Sequence, residues 1–304
     1  MDNENAGNVY PMVPGHEIVG HVTQVGSGVT MVSVGDRVGV GPQGGACMED
    51  SCKQCARDAN NFCPSRVFTY NSKIDIEPGM TYGGYAEAHI THEAFAIPIP
   101  DEMDSAVAAP LLCAGITTYA PLVRFGAHLE AGARVGVVGI GGLGHMAVQY
   151  AAAMGYAVTA ISRTASKEEE ARGFGAQDFL LSSDADAMAA AVRTFDFIIC
   201  TVSAPLDWEL YLSLMAPDGV FCMLGLPPKK MEFDARCLIG NRITLCGSLI
   251  GSPAEQIDML KFSAKHNIAP IIEHATMSQC NEGLDRLRSN SVRYRIVMAR
   301  DDAQ

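Results

Sequence analysis

The feature that most constrains the fold is a run of alternating apolar strands and helices from Ala131 to about Leu249. The strand candidates are Val135–Gly139, Ala157–Ile161, Phe197–Thr201, Val220–Leu224 and Ile243–Cys246. Between the first two, Leu143, Met146, Ala147, Tyr150, Ala151 and Met154 recur at helical spacing and define one buried face. Such alternation predicts an α/β fold, a doubly wound parallel sheet with helices on both sides.

The first strand runs into Gly139-Ile140-Gly141-Gly142-Leu143-Gly144, which opens the helix. A glycine run of this pattern is weak alone and gains meaning from a strand before it and a helix after it. The first glycine suits the tight turn, the second lets backbone approach a pyrophosphate, and the third lets helix and strand pack closely. The helix start then offers unpaired N–H groups and a positive dipole end to phosphates. This points to a bound dinucleotide. A glycine-rich loop without a ligand is the plain alternative, and the flanking elements weigh against it.

Cofactor type turns on the end of the second strand. A site for NAD places an acid there to bond the ribose 2′-hydroxyl. Here the residues are Ile161-Ser162-Arg163-Thr164-Ala165-Ser166-Lys167, with no acid. Hydroxyls and two cations suit a 2′-phosphate, so Ser162, Arg163 and Lys167 predict NADP. An ordinary solvated turn is the competing reading. Thr201 and Gly225, at or just past the ends of two later strands, are counted with the cofactor site.

Outside this run the chain is built differently. From Val9 to about Pro110 it reads as short strands and turns, with Ile18–Val25 and Asp36–Val40 as β-branched runs bounded by glycine. From about Gly251 a short amphipathic helix leads to the strand-like Tyr294–Met298. At 304 residues there is room for two domains. A net charge of −12 argues against a nucleic-acid or anionic-membrane partner. No apolar run is expected to span a bilayer and the opening residues do not read as a signal peptide, so a cytoplasmic protein is expected.

Ten cysteines without a secretory signal suggest metal ligation or buried thiols rather than disulfides. Four of them, Cys47-x4-Cys52-x2-Cys55-x7-Cys63, fall within 17 residues of a loop-like segment. Four thiolates satisfy the closed tetrahedral shell of a structural zinc, which would cross-link a segment poor in apolar residues. Such a shell leaves no position for a substrate. His16, Glu17 and Cys113 offer an imidazole, a carboxylate and a thiolate, the ligand types of an open, catalytic zinc site. Singly, each also reads as core or surface, and spacing cannot join residues so far apart.

These residues resemble the zinc-dependent medium-chain alcohol dehydrogenases, and within them the cinnamyl alcohol dehydrogenase-like, NADP-dependent group. The resemblance rests on Gly15-His16-Glu17-x2-Gly20-x5-Gly26-x2-Val29, the four-cysteine loop and Thr81-Tyr82-Gly83-Gly84-Tyr85. Pro110-Leu111-Leu112-Cys113-Ala114-Gly115-Ile116-Thr117, the glycine loop with His145, and Val292-Arg293-Tyr294-Arg295 follow in order. It implies a mainly-β GroES-like catalytic domain over 1–113, completed by 251–304, around a Rossmann domain over 114–250. It also implies a homodimer interconverting primary alcohols and aldehydes, with aldehyde reduction the expected direction. His16 and Cys113 would be catalytic zinc ligands, with Glu17 able to swing onto the metal. Cys47, Cys52, Cys55 and Cys63 would hold structural zinc. Thr117 and Gly139 to Leu143 would lie along the cofactor, and Arg295 would reach a phosphate.

Two departures stand out. The first gap in the four-cysteine loop is two residues longer than is common in the group. The resemblance also begins just before Gly15, so the segment that in the group carries a third zinc-ligating cysteine and a proton-relay hydroxyl has no counterpart here. Two expectations follow: a working reductase, or an NADPH-binding protein without dehydrogenase activity. A zinc-free quinone or enone reductase is disfavoured by His16, Glu17 and Cys113.

Overall fold

A computed structural model describes residues 9–75, 79–289 and 291–301. The chain divides into two compact units. One runs to Ile116 and resumes at Ile250, and the other is Thr117–Leu249.

In the first unit the early strands are β1 (Ile18–His21), β2 (Arg37–Val40), β3 (Gln43–Gly45), β4 (Val67–Phe68) and β5 (Ile97–Pro98). β1, β2 and β5 form one antiparallel sheet, and β3 pairs antiparallel with β4. The strand expected over Ile18–Val25 ends at His21. Beyond it, Val22 exchanges backbone bonds with Gly35 and Asp36 in a looser ladder. Phe95, Ile97, Leu111, Leu112 and Ile116 are fully buried in this unit. Gly39 of β2 lets Leu112 approach, since a Cβ there would meet the Leu112 side chain at 2.6 Å.

One expectation needs correcting. The helical stretch Ser105–Phe125 has 21 residues and is long and apolar enough to cross a membrane by length and composition. Pro110, Thr117, Thr118 and Pro121 interrupt the apolar run and hide its length in the sequence. The protein itself buries 67% of that window, which is the signature of a core helix. It starts on Asp104, whose carboxylate accepts from the N–H groups of Ala106 and Val107. Over Leu111–Gly115 the turn widens, and Ile116 N–H reaches back to the Leu111 carbonyl. Wide turns of this kind often mark functional sites.

In the second unit, β6 (Arg134–Val138), β7 (Ala157–Ser162), β8 (Asp178–Leu181), β9 (Phe195–Cys200), β10 (Met215–Met223) and β11 (Thr244–Gly247) form one sheet. Its order is β11-β10-β9-β6-β7-β8 and every pair is parallel. All five expected strands are present, and β8 is additional. As an edge strand β8 is only partly buried, so it lacks the continuous apolar run that reveals the others. The helix Gly144–Ala153 buries Met146, Ala147, Val148, Tyr150 and Ala151 completely.

The chain then returns to the first unit. Helix Pro253–His266 is capped by Ser252, whose hydroxyl accepts from Glu255 N–H while the Glu255 carboxylate accepts from Ser252 N–H. It ends at Asn267 in the left-handed conformation (φ 53°). β12 (Ile272–Thr276) and β13 (Arg295–Ala299) pair in parallel, joined through helix Cys280–Arg288.

Candidate functional site

The sequence Thr81-Tyr82-Gly83-Gly84-Tyr85 acts as a clamp on the segment that carries His16. Gly83, Gly84 and Tyr85 donate backbone N–H bonds to the carbonyls of Val13, Gly15 and Pro14, at 2.7, 3.0 and 3.0 Å. A Cβ on Gly83 would lie 2.3 Å from the Gly15 carbonyl oxygen, so only glycine permits this approach. Gly15 itself has φ +104° and presses on the Tyr85 ring. The clamp fixes the direction in which His16 and Glu17 leave the backbone.

The widened turn Leu111–Gly115 brings Cys113 to the same place. Ligand atoms of His16, Glu17 and Cys113 all lie within 4.8 Å of one another. The three residues that spacing alone could not join therefore converge. Burial pushes the His16 imidazole below its ordinary value, Glu17 pulls it partway back, and Arg295 adds to the lowering. A neutral ring keeps a nitrogen lone pair free for a metal.

Three residues stand beside this cluster where the sequence does not place them. Tyr70 stacks on the His16 ring, with centroids 5.7 Å apart and planes 12° from parallel. Tyr85 sits within electrostatic reach of Glu17 and Arg295. Arg295, at the start of β13, donates a hydrogen bond and a salt bridge to the Glu17 carboxylate. Burial opposes the Arg295 charge, but Glu17, Cys113 and Tyr85 together outweigh it and raise the guanidinium above its ordinary value. Arg295 was expected at a phosphate, and here its guanidinium is engaged with Glu17. Only the long-range contact of Glu17 with Arg295 could have revealed this.

The four loop cysteines also converge. Sγ–Sγ distances are 3.7 Å for Cys47–Cys55, 4.0 Å for Cys52–Cys63 and 3.5 Å for Cys63–Cys47. Four sulfurs at about 2.3 Å from one zinc form a tetrahedron with edges of about 3.8 Å. The thiols thus stand at zinc spacing and far beyond disulfide length. Short turns at Cys55–Arg57 and Asn60–Phe62 bend the loop to achieve it. Backbone N–H groups of Cys55 and Gln54 pull the Cys52 thiol down to about 7, which favours the ligating thiolate.

In the second unit the three fingerprint glycines have different environments. Gly139 has φ +87° and makes the turn. Gly144 packs so closely that a Cβ would lie 1.8 Å from the Gly139 carbonyl oxygen. Gly141 has nothing within 4 Å of its Cβ position, so its backbone faces open space. Thr201 donates its hydroxyl to the carbonyls of Val138 and Gly139, each at 3.0 Å, and braces the turn from β9. Gly225 packs on Val202, its Cβ position 2.1 Å from the Val202 carbonyl oxygen. Ile140 is buried while Gly142 and Leu143 are half-buried, and Thr117 begins the unit on the long helix.

At the end of β7, Ser162 is buried and its hydroxyl accepts from Thr164 N–H at 3.2 Å, which shapes the turn. Arg163 is exposed, and Lys167 lies 3.7 Å from Glu170. Arg163 and Lys167 are the two cations at this strand end.

Comparison with known proteins follows this geometry. Residues 2–101 match the alcohol dehydrogenase GroES-like domain, and residues 142–265 match the zinc-binding dehydrogenase domain. Cinnamyl alcohol dehydrogenase 2 of Arabidopsis thaliana is 46% identical over 290 residues, covering 95% of this chain and 77% of the relative. The chain belongs to the zinc-dependent medium-chain alcohol dehydrogenases, in their cinnamyl alcohol dehydrogenase-like group. A cinnamyl alcohol dehydrogenase from Sorghum bicolor superposes with a TM-score of 0.92 at 40% identity, over 98% of this chain and 84% of that one. The enzyme from Helicobacter pylori, solved in complex with NADP(H), gives 0.87 at 35% identity, over 97% and 84%. The fold is accordingly a GroES-like domain with a parallel-sheet Rossmann domain, and this dehydrogenase carries the four-cysteine cluster within it.

Proposed function

We propose that the protein is an NADPH-dependent reductase of primary aldehydes, with a metal held by His16, Glu17 and Cys113. The observation that carries this reading is the convergence of an imidazole, a carboxylate and a thiol within 4.8 Å. Nitrogen, oxygen and sulfur donors are the set a zinc ion takes in a catalytic site. When bound, zinc supplies a Lewis acid for the carbonyl and NADPH supplies the hydride.

The chain's own residues do the rest. Tyr70 fixes the ring plane of His16, and burial keeps that ring neutral. Arg295 holds the Glu17 carboxylate, so the negative charge beside the metal is restrained. Gly141 leaves its backbone open to the pyrophosphate, and Thr201 keeps the turn in place. Arg163 and Lys167 would face the 2′-phosphate, while Ser162 shapes their turn. Cys47, Cys52, Cys55 and Cys63 would hold a second, structural zinc. A cytosolic homodimer fits the family.

The test is metal content together with steady-state reduction of cinnamaldehyde and an aliphatic aldehyde. Expected are two zinc ions per chain and faster turnover with NADPH than with NADH. One zinc per chain, with NADPH bound but neither aldehyde reduced, would overturn the catalytic reading.

A further inference from the structure

In the parallel pair β10·β11, Cys222 stands in register with Cys246. Adjacent strands lie about 4.8 Å apart, which falls within the Cα separations that a disulfide spans. Side chains in register on neighbouring strands point to the same face. Cys200 of β9 is in register with Met223, one residue further on, so it points to the opposite face. The same face as Cys222 carries Ile199, an inert neighbour. Three cysteines on three consecutive strands therefore reduce to a single facing pair.

We propose that Cys222 and Cys246 form a reversible oxidation site that closes to a disulfide with hydrogen peroxide as co-reactant. The two differ in a way that orders the chemistry. Cys222 is fully buried on a central strand, whereas Cys246 is half-buried on the edge strand. Hydrogen bonding from Cys222 lowers the Cys246 thiol, while the same interaction, with burial, pushes Cys222 up. Cys246 is thus the attacking thiolate and Cys222 the resolving thiol. The Cys246 sulfur displaces hydroxide from the O–O bond and becomes a sulfenic acid. The Cys222 sulfur then attacks it, the S–S bond forms, and the hydroxyl leaves as water with the Cys222 proton. Two thiols are oxidised and one peroxide is reduced to two waters. The bond ties the edge strand β11, which pairs only with β10 among the described residues, to the body of the sheet.

The experiment treats the folded, full-length protein with excess hydrogen peroxide, then alkylates, digests with trypsin without reduction and maps the peptides. Lys229, Lys230, Arg236 and Arg242 separate Cys222 from Cys246, so their bridge appears as a cross-linked peptide pair. No Lys or Arg separates Cys200 from Cys222, so a bridge between those two appears within one peptide. The expected result is the Cys222–Cys246 pair, lighter by two hydrogens and released by a dithiol. It should be lost in Cys246→Ser and retained in Cys200→Ser. The proposal is overturned if both thiols still alkylate after unfolding of the treated protein. It is equally overturned if Cys246 stops at sulfinic acid or Cys222 joins Cys200. Mapping of the unmutated protein decides the question even if a variant fails to fold.

Discussion

Arg295 and Glu17, 278 residues apart in the chain, form a salt bridge beside His16 and Cys113. Both side chains are about three-quarters buried, so each is costly without the other. Arg295→Ala should destabilise the metal-free protein by about 1–3 kcal/mol, between the values of exposed and fully buried pairs. Adding Glu17→Gln to that variant should recover part of the loss, because the unpaired charge is removed. Urea unfolding of the two single variants and the double variant measures the coupling. Equal stability of all four proteins would show that the pair contributes nothing.

Gly141 and Gly144 should separate folding from binding. A methyl group at Gly144 meets the Gly139 backbone at 1.8 Å, so Gly144→Ala must displace the loop. It should lower stability by about 1–3 kcal/mol and weaken NADPH binding as well. Gly141 faces open space, and Gly141→Ala should melt like the unmutated protein while binding NADPH at least about tenfold more weakly. Thermal melts and fluorescence titration with NADPH distinguish the two patterns.

The sequence made the sheet legible because its central strands are buried on both faces and show as continuous apolar runs. β8 escaped for the opposite reason, since its edge position leaves it half-exposed. The metal-ligand candidates were legible by type, as His16, Glu17 and Cys113, but not as a cluster. Their meeting depends on the clamp of Gly83 and Gly84 on Gly15 and on the widened turn at Leu111–Gly115. Neither leaves a local pattern that spacing could reveal. The pairing of Glu17 with Arg295 is farther still from local reading, because it requires β13 to return beside a segment near the start of the chain.

Arg163 and Lys167 should govern the choice of cofactor. Arg163→Ala removes an exposed cation at the end of β7. NADPH binding should fall about tenfold or more, whereas NADH binding should hardly change. Lys167→Ala should act in the same direction but less, because Glu170 already shares its charge at 3.7 Å. Parallel titrations with the two dinucleotides at one ionic strength test this. An equal loss for both would place these cations elsewhere than at a 2′-phosphate.

The four-cysteine loop should couple metal, pH and local order. Cys52→Ser removes one corner of the sulfur tetrahedron, and zinc should be lost from that site. Residues 47–63 should then become sensitive to protease, since the loop holds few apolar side chains that could replace the metal. In the metal-free protein, backbone donors hold Cys52 at about 7, below its ordinary 9.0. A depressed thiol favours the folded loop above pH 9, and that contribution is lost as pH falls from 9 through 7. Zinc affinity should fall as pH drops further, through about 7, because a proton must then leave Cys52 before the metal binds. Competition against a chelator at pH 6, 7 and 8 checks it, and an affinity that does not change with pH would contradict the assignment of Cys52 as a ligand.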